Sequence, residues 1–369
     1  MPSPQKSKAP APNPLTALKA DQPLSLIDTQ TVFCGNNLIH LARMPAECVD
    51  LVYIDPPFNS NRNYEVFWGE TGEVRAFEDR HESTRAYIEF MRPRCVELHR
   101  VLRKTGSLYY HCDWHASHYV KAMLDQIFGE NGFQNEIVWK RSSAHSDARQ
   151  GSKHYGRVHD TIFFYTKGDD YAWNQLYTPL SSGYVDSHYR HTDENGRFRW
   201  DNLTGPGGAS KGNPRYEVLG VMGYWRYKPE RMQQLIKEGR VAIPPNGTKP
   251  ALKRYLEDSK GLPLQSVWDD LPPVNSQAKE AQGYPTQKPV ALLERIIKAS
   301  SDYGDIVLDA FCGCGTALVA AQRLDRRWIG IDVSPTACRV MADRLRRECK
   351  LTEGSDFFVR EALNRPRGQ

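Results

Sequence analysis

Ile306-Val307-Leu308-Asp309-Ala310-Phe311-Cys312-Gly313-Cys314-Gly315-Thr316 is the stretch whose reading decides the fold. Its first residues fit a short buried strand, and the run at 316–324 has helical texture. Gly313 and Gly315 lie between them. Glycine lets a backbone turn sharply and come close to a ligand, and the helix that follows offers its unpaired N–H groups at the turn. The next strand, 328–331, ends at Asp332, 17 residues past Gly315. A carboxylate there can take both hydroxyls of a ribose. The strict G-x-G-x-x-G is absent, because Thr316-Ala317-Leu318 follows Gly315. Alone, the pattern predicts a nucleotide-binding fold, and it leaves a dinucleotide oxidoreductase open.

Working outward, strand-like and helix-like segments alternate. A helix is predicted at 289–300 and another at 334–349. Near the N-terminus, Val49-Asp50-Leu51-Val52-Tyr53-Ile54 reads as a buried parallel strand. A helix at 84–102, a strand at 107–112, a helix at 118–128 ended by Gly129, and a strand at 137–139 follow. From 140 to 282 the texture changes to loops rich in Gly, Pro, aromatic and basic residues, with short strand candidates at 161–166 and 224–227. The expectation is an α/β, doubly wound, Rossmann-like sheet built from residues 23–139 and 283–350, with an inserted domain at 140–282. Residues 1–22, rich in Pro, Ala, Ser and Lys, read as a disordered arm, and 351–369 as a tail.

The bulk numbers fit a soluble protein. The chain has 369 residues, 25% charged and 40% hydrophobic, with a net charge of +5 and a pI near 8.7. That mild excess permits a polyanionic partner without requiring one. No apolar run is long enough to span a bilayer, and the N-terminus lacks a secretory core, so a cytoplasmic location is expected. The eight cysteines show no paired metal-ligand spacing. Reduced thiols and no metal site are expected. His111-Cys112-Asp113-Trp114-His115 reads as a strand end and helix cap.

The strand at 49–54 runs directly into Asp55-Pro56-Pro57-Phe58. Two prolines fix the turn, so a carboxylate and a carbonyl are held in place at a strand end. This motif, followed much later by the glycine turn, resembles the β class of DNA amino-methyltransferases (the DNA methylase N-4/N-6 family), in which the catalytic motif precedes the cofactor motif. The resemblance covers roughly 31–348. Tyr284-Pro285-Thr286-Gln287-Lys288-Pro289 also resembles the family, which implies that Thr286, Gln287 and Lys288 help hold the methionine carboxylate of S-adenosylmethionine. The implied cofactor site further includes Asp55, Asp309, Phe311, Gly313, Gly315, Thr316 and Asp332. The family usually has Gly-Asp where this chain has Gly35-Asn36. An amide can donate as well as accept, so the role of Asn36 near the adenine stays open.

The resemblance implies direct methyl transfer to an exocyclic amine of a base. The amine's lone pair is delocalised into the ring. Asp55 and the Pro56 carbonyl, held by Pro57, would accept its two hydrogens and pull the nitrogen out of conjugation. Phe58 would stack on the extruded base. In the family an acidic first residue goes mostly with adenine-N6 and a serine with cytosine-N4. Adenine-N6 is therefore expected, with cytosine-N4 as the alternative and a non-catalytic DNA-binding module as the rival of another class. Basic residues interleaved with aromatics in the insert nominate Lys140, Arg141, Lys153, Arg157, Lys211, Arg215 and Arg226 as contacts to double-stranded DNA. A homodimer and a separate restriction endonuclease are compatible partners; no membrane is expected.

Overall fold

The computed structural model describes residues 27–57, 63–68, 73–78, 84–142, 153–274 and 287–361. Two compact units emerge, one of residues 1–174 with 265–369 and one of 175–264.

The first unit is built on a nine-stranded sheet. In chain order its strands are β1 (Thr31–Cys34), β2 (Val49–Ile54), β3 (Leu102–Cys112), β4 (Phe133–Lys140), β5 (His159–Thr166), β6 (Val267–Trp268), β7 (Ile306–Asp309), β8 (Arg327–Asp332) and β9 (Phe358–Glu361). Across the sheet they lie in the order β6-β4-β5-β3-β2-β7-β8-β1-β9. Pairings are parallel except those of β5, which runs against both β3 and β4. Helices α1 (Asn37–Arg43), α2 (Thr84–Val101) and α3 (Ser117–Phe128) form one packed group, and α4 (Val290–Ser300), α5 (Thr316–Arg323) and α6 (Pro335–Cys349) another.

Both faces of the central strands are covered, which explains why β2 is buried at every position. Leu108, Tyr110 and Cys112 of β3 pack with Met91, Cys95 and Leu98 of α2. The residue between them, Tyr109, meets the Ser300 hydroxyl of α4 at 2.7 Å instead. Asp50, a charge inside the apolar run, is satisfied at the opposite end of β2 from Asp55: Arg103 lies 2.5 Å away and the Ile306 amide donates to it at 2.9 Å.

The boundaries expected from texture shift. Residues 159–166 were expected inside the insert, yet β5 is an internal strand of the main sheet, and β6 joins its edge. Residues 358–361, expected in a tail, form the opposite edge strand, β9. The second unit has a four-stranded antiparallel sheet and a hairpin of Arg215–Val218 with Val221–Tyr224. Its core is formed by Leu203, Val218, Trp225, Met232, Leu235, Val241 and Leu252.

Candidate active site

Leaving β2, the chain crosses through α2 to β3 on one side. Leaving β7, it crosses through α5 to β8 on the other. β2 and β7 are neighbours, with Tyr53 opposite Asp309. A crevice opens at the carboxyl ends of such strands, where successive connections diverge. The fold thus brings Asp55-Pro56-Pro57 beside the glycine turn. Phe58 and Thr286 lie outside the described residues.

The glycine turn has the geometry its sequence requires. Gly313 and Gly315 have φ of +49° and +76°, which a side chain strongly disfavours. A Cβ on Gly315 would come within 2.4 Å of Met341 Cγ. Asp332 pins the turn: the Gly313 amide donates to its Oδ2 at 2.8 Å and the Ser334 amide to its Oδ1 at 2.9 Å. Asp309, buried, accepts from the Phe311 amide at 3.0 Å. Burial pushes Asp309 well above the usual carboxylate range; the Phe311 bond opposes this, and the charges of Asp55 and Asp332 add to it. Burial likewise raises Asp332, against its two amide bonds.

Asp55 and Lys288 form the centre of the site. Lys288 Nζ donates to Asp55 Oδ2 at 2.5 Å, and the two side chains are only 9% and 17% exposed. Asp55 Oδ1 is buried without a hydrogen-bond partner among the described residues. A polar chain, buried except at its Arg141 end, starts at Tyr53, two residues before Asp55. The Tyr53 hydroxyl lies 3.0 Å from His111 Nδ1, His111 Nε2 lies 3.3 Å from Asp160 Oδ2, and Asp160 Oδ1 lies 2.9 Å from Arg141 Nε. Burial alone would raise Asp160, but its bond to His111 and the charges of His111, Lys288 and Arg141 hold it below its ordinary value.

Some expected residues have partners the sequence did not suggest. Asn36 is exposed and caps α1 through the Leu38 amide at 3.0 Å, with Arg94 Nη2 3.4 Å from the same oxygen. Its neighbour Asn37, not singled out from sequence, is buried. Asn37 donates to the Ala310 carbonyl at 2.8 Å and accepts from Arg94 Nε at 2.8 Å, tying α1 and α2 to the glycine turn. The Thr316 hydroxyl accepts from the buried Arg344 at 2.9 Å. Arg141 faces Asp160, while Lys140 and Lys153 are exposed. The Arg157 guanidinium lies 3.6 Å over the Trp114 ring, and Trp114 stacks on His115 at 3.8 Å. In the second unit Lys211, Arg215 and Arg226 are exposed. A cleft of about 330 Å³ in that unit, unforeseen from sequence, includes Arg199, Arg231, Lys253, Arg254 and Tyr255 in its lining.

The residues fit S-adenosylmethionine. A positive-φ turn at a helix N-terminus, carboxylates at three strand ends, a lysine and an unpartnered buried acceptor suit a ligand carrying a sulfonium, a diol and a carboxylate. None of the eight cysteines, all within the described residues, forms a disulfide. No described helix is long and apolar enough to cross a membrane.

The family model described as DNA methylase matches residues 49–343. The type II methyltransferase M.EcaI of Enterobacter cloacae is 30% identical over 325 residues, covering 87% of this chain and 70% of that protein. The DNA adenine methyltransferase YhdJ of Escherichia coli K12 is 27% identical over 318 residues, covering 86% and 83%. Among solved structures, the cytosine-N4-specific PvuII DNA methyltransferase is similar with a TM-score of 0.48 at 16% identity, covering 86% and 88%.

Proposed function

The chain belongs to the DNA methylase family, whose enzymes depend on S-adenosylmethionine, and from that premise we propose how its residues act and on which base. The observation that carries the reading is Asp55 Oδ1, a buried acceptor with no partner among the described residues, at a strand end beside the glycine turn.

The bound cofactor supplies an electrophilic methyl group on sulfur. Asp55 accepts one hydrogen of the target amine, and the Pro56 carbonyl accepts the other. Two acceptors in tetrahedral directions draw the nitrogen lone pair out of the ring, and a fixed turn means they need not reorganise during the reaction. The rest is positioning in line. Asp332 sets the glycine turn and offers its carboxylate to the ribose. The target is the N6 amine of adenine in double-stranded DNA. The relative named for adenine methylation aligns over most of both chains, and Asp55 keeps the acidic residue that accompanies that chemistry. The base leaves the helical stack to reach Asp55. The second unit, 175–264, and the exposed Lys140 and Lys153 supply duplex contacts and target recognition.

Expression in a host lacking DNA methylation, followed by sequencing with base-modification detection, tests this. N6-methyladenine in one sequence context is expected. N4-methylcytosine would shift the assignment to the alternative, and unmodified DNA that still binds the protein would leave a silent binding module.

A further inference from the structure

We propose that Lys288 is a positioning residue for methyl transfer: it holds Asp55 by one carboxylate oxygen and so presents the other to the substrate amine. This rests on the reading of Asp55 as the amine acceptor.

Three observations converge. First, Lys288 Nζ contacts Oδ2 and leaves Oδ1 as the buried, unpartnered acceptor among the described residues. A carboxylate gripped at one oxygen loses its freedom to swing about the Cβ–Cγ bond, so the remaining oxygen points in a fixed direction. Second, the pair is largely buried. In such surroundings a charge-assisted bond is short, directional and costly to break. Third, the Lys288 charge also acts on Asp160 and Asp309. Together with its contact to Asp55 this makes it a cation that acts on carboxylates of β5 and β7 as well as on the one that follows β2. Lys288 stands immediately before the Pro289 cap of α4, so its backbone is fixed by an element of the sheet's helical cover. The arrangement makes the lysine part of the acceptor's geometry, which differs from a clamp on the methionine carboxylate.

The two roles separate by experiment. Wild type, Lys288→Met and Lys288→Arg are compared in single-turnover methylation of duplex DNA at saturating cofactor. The affinities of S-adenosylhomocysteine and of methylthioadenosine, which lacks the amino-acid carboxylate, are measured by calorimetry. The expected result is a transfer rate constant lowered on the order of 100-fold in Lys288→Met and partly restored in Lys288→Arg. The ratio of the two ligand affinities should match wild type in both variants. A wild-type rate constant in Lys288→Met, or an affinity ratio collapsing towards unity, would overturn the proposal. Calorimetric binding of methylthioadenosine also reports that each variant is folded. Asp55→Ala run alongside distinguishes the two levels: full transfer there removes the Asp55 reading itself, whereas loss there with full transfer in Lys288→Met removes only the positioning role.

Discussion

In the proposed reading a single oxygen atom, Asp55 Oδ1, links the sequence motif to the chemistry. Buried acceptors are nearly always satisfied in folded proteins, and one without a partner at a cleft marks a place where a ligand completes the bonding. Asp55→Ala should leave a folded protein and reduce methyl transfer by on the order of 100-fold or more, because a preorganised acceptor is removed. Methylation at the wild-type rate by the purified variant would sink the assignment. Asp332 pins the glycine turn and, in the proposed reading, also binds the ribose. Asp332→Ala takes the acceptor from the part-buried Gly313 and Ser334 amides, at a cost of about 1 kcal/mol for each hydrogen bond lost. Cofactor affinity should fall and the melting temperature with it, while the DNA sequence selected stays the same. Calorimetry with unchanged affinity would exclude the ribose role. At this scale the sequence is legible where chemistry is contiguous, as in Asp55-Pro56-Pro57 and Gly313-Cys314-Gly315. It is silent where partners are remote. Lys288 and Asp55 are 233 positions apart, and Asn37 meets Arg94 across 57. Nothing in a local pattern announces either pair.

The elements were legible for the same reason that they are stable. β2 is apolar on both faces because helices cover both, and α4 to α6 repeat at helical spacing because one stripe is buried. Texture misleads at β5. The run Thr161-Ile162-Phe163-Phe164-Tyr165-Thr166 reads as a strand, but the basic loops around it suggested an insert. A strand that runs antiparallel to both neighbours needs no helical crossover, so it enters the sheet without the alternation that betrays the others. The strand ends carry a testable electrostatic consequence. Burial raises the Asp309 carboxyl well above its ordinary value, so the folded state binds this proton more tightly than the unfolded chain does. The contribution of Asp309 to stability must then fall as pH rises above the unfolded value of about 3.9. Asp309→Asn keeps an oxygen for the Phe311 amide and removes the charge. Its melting temperature should exceed that of wild type, by a margin that widens from pH 4 to pH 8. Thermal melts with a pH-independent difference would contradict the buried-charge account.

At the scale of the whole molecule, chemistry and recognition are expected to divide between the two units. The first unit holds the crevice between β2 and β7, and in the proposed reading that machinery would be the same for any target base delivered to it. The residues around Asp55 therefore contain little information about neighbouring bases. The second unit has its own core around Trp225 and Leu235, so it can vary without disturbing the sheet. In the proposed reading its exposed Lys211, Arg215 and Arg226, and the cations of its cleft, would hold phosphates, and residues on its hairpin and loops would reach base edges. Composition could not say which cations do this. Arg141 lies against Asp160 and Arg157 over Trp114, and both contacts come from folding rather than from the local sequence. The boundary matters for the test. A swap beginning at residue 140 would replace β5 and break the sheet, whereas junctions at Gln175 and Leu264 follow the division of the fold. Exchanging 175–264 for the corresponding unit of a relative with another target should give an active enzyme whose sequence preference moves with the exchanged unit. Methylome sequencing of cells expressing the chimera reads this directly. A folded, active chimera that kept the original target would place recognition in the first unit instead. There the antiparallel pair Asn63–Trp68 and Glu73–Glu78, following the catalytic motif, would be the next segment to exchange.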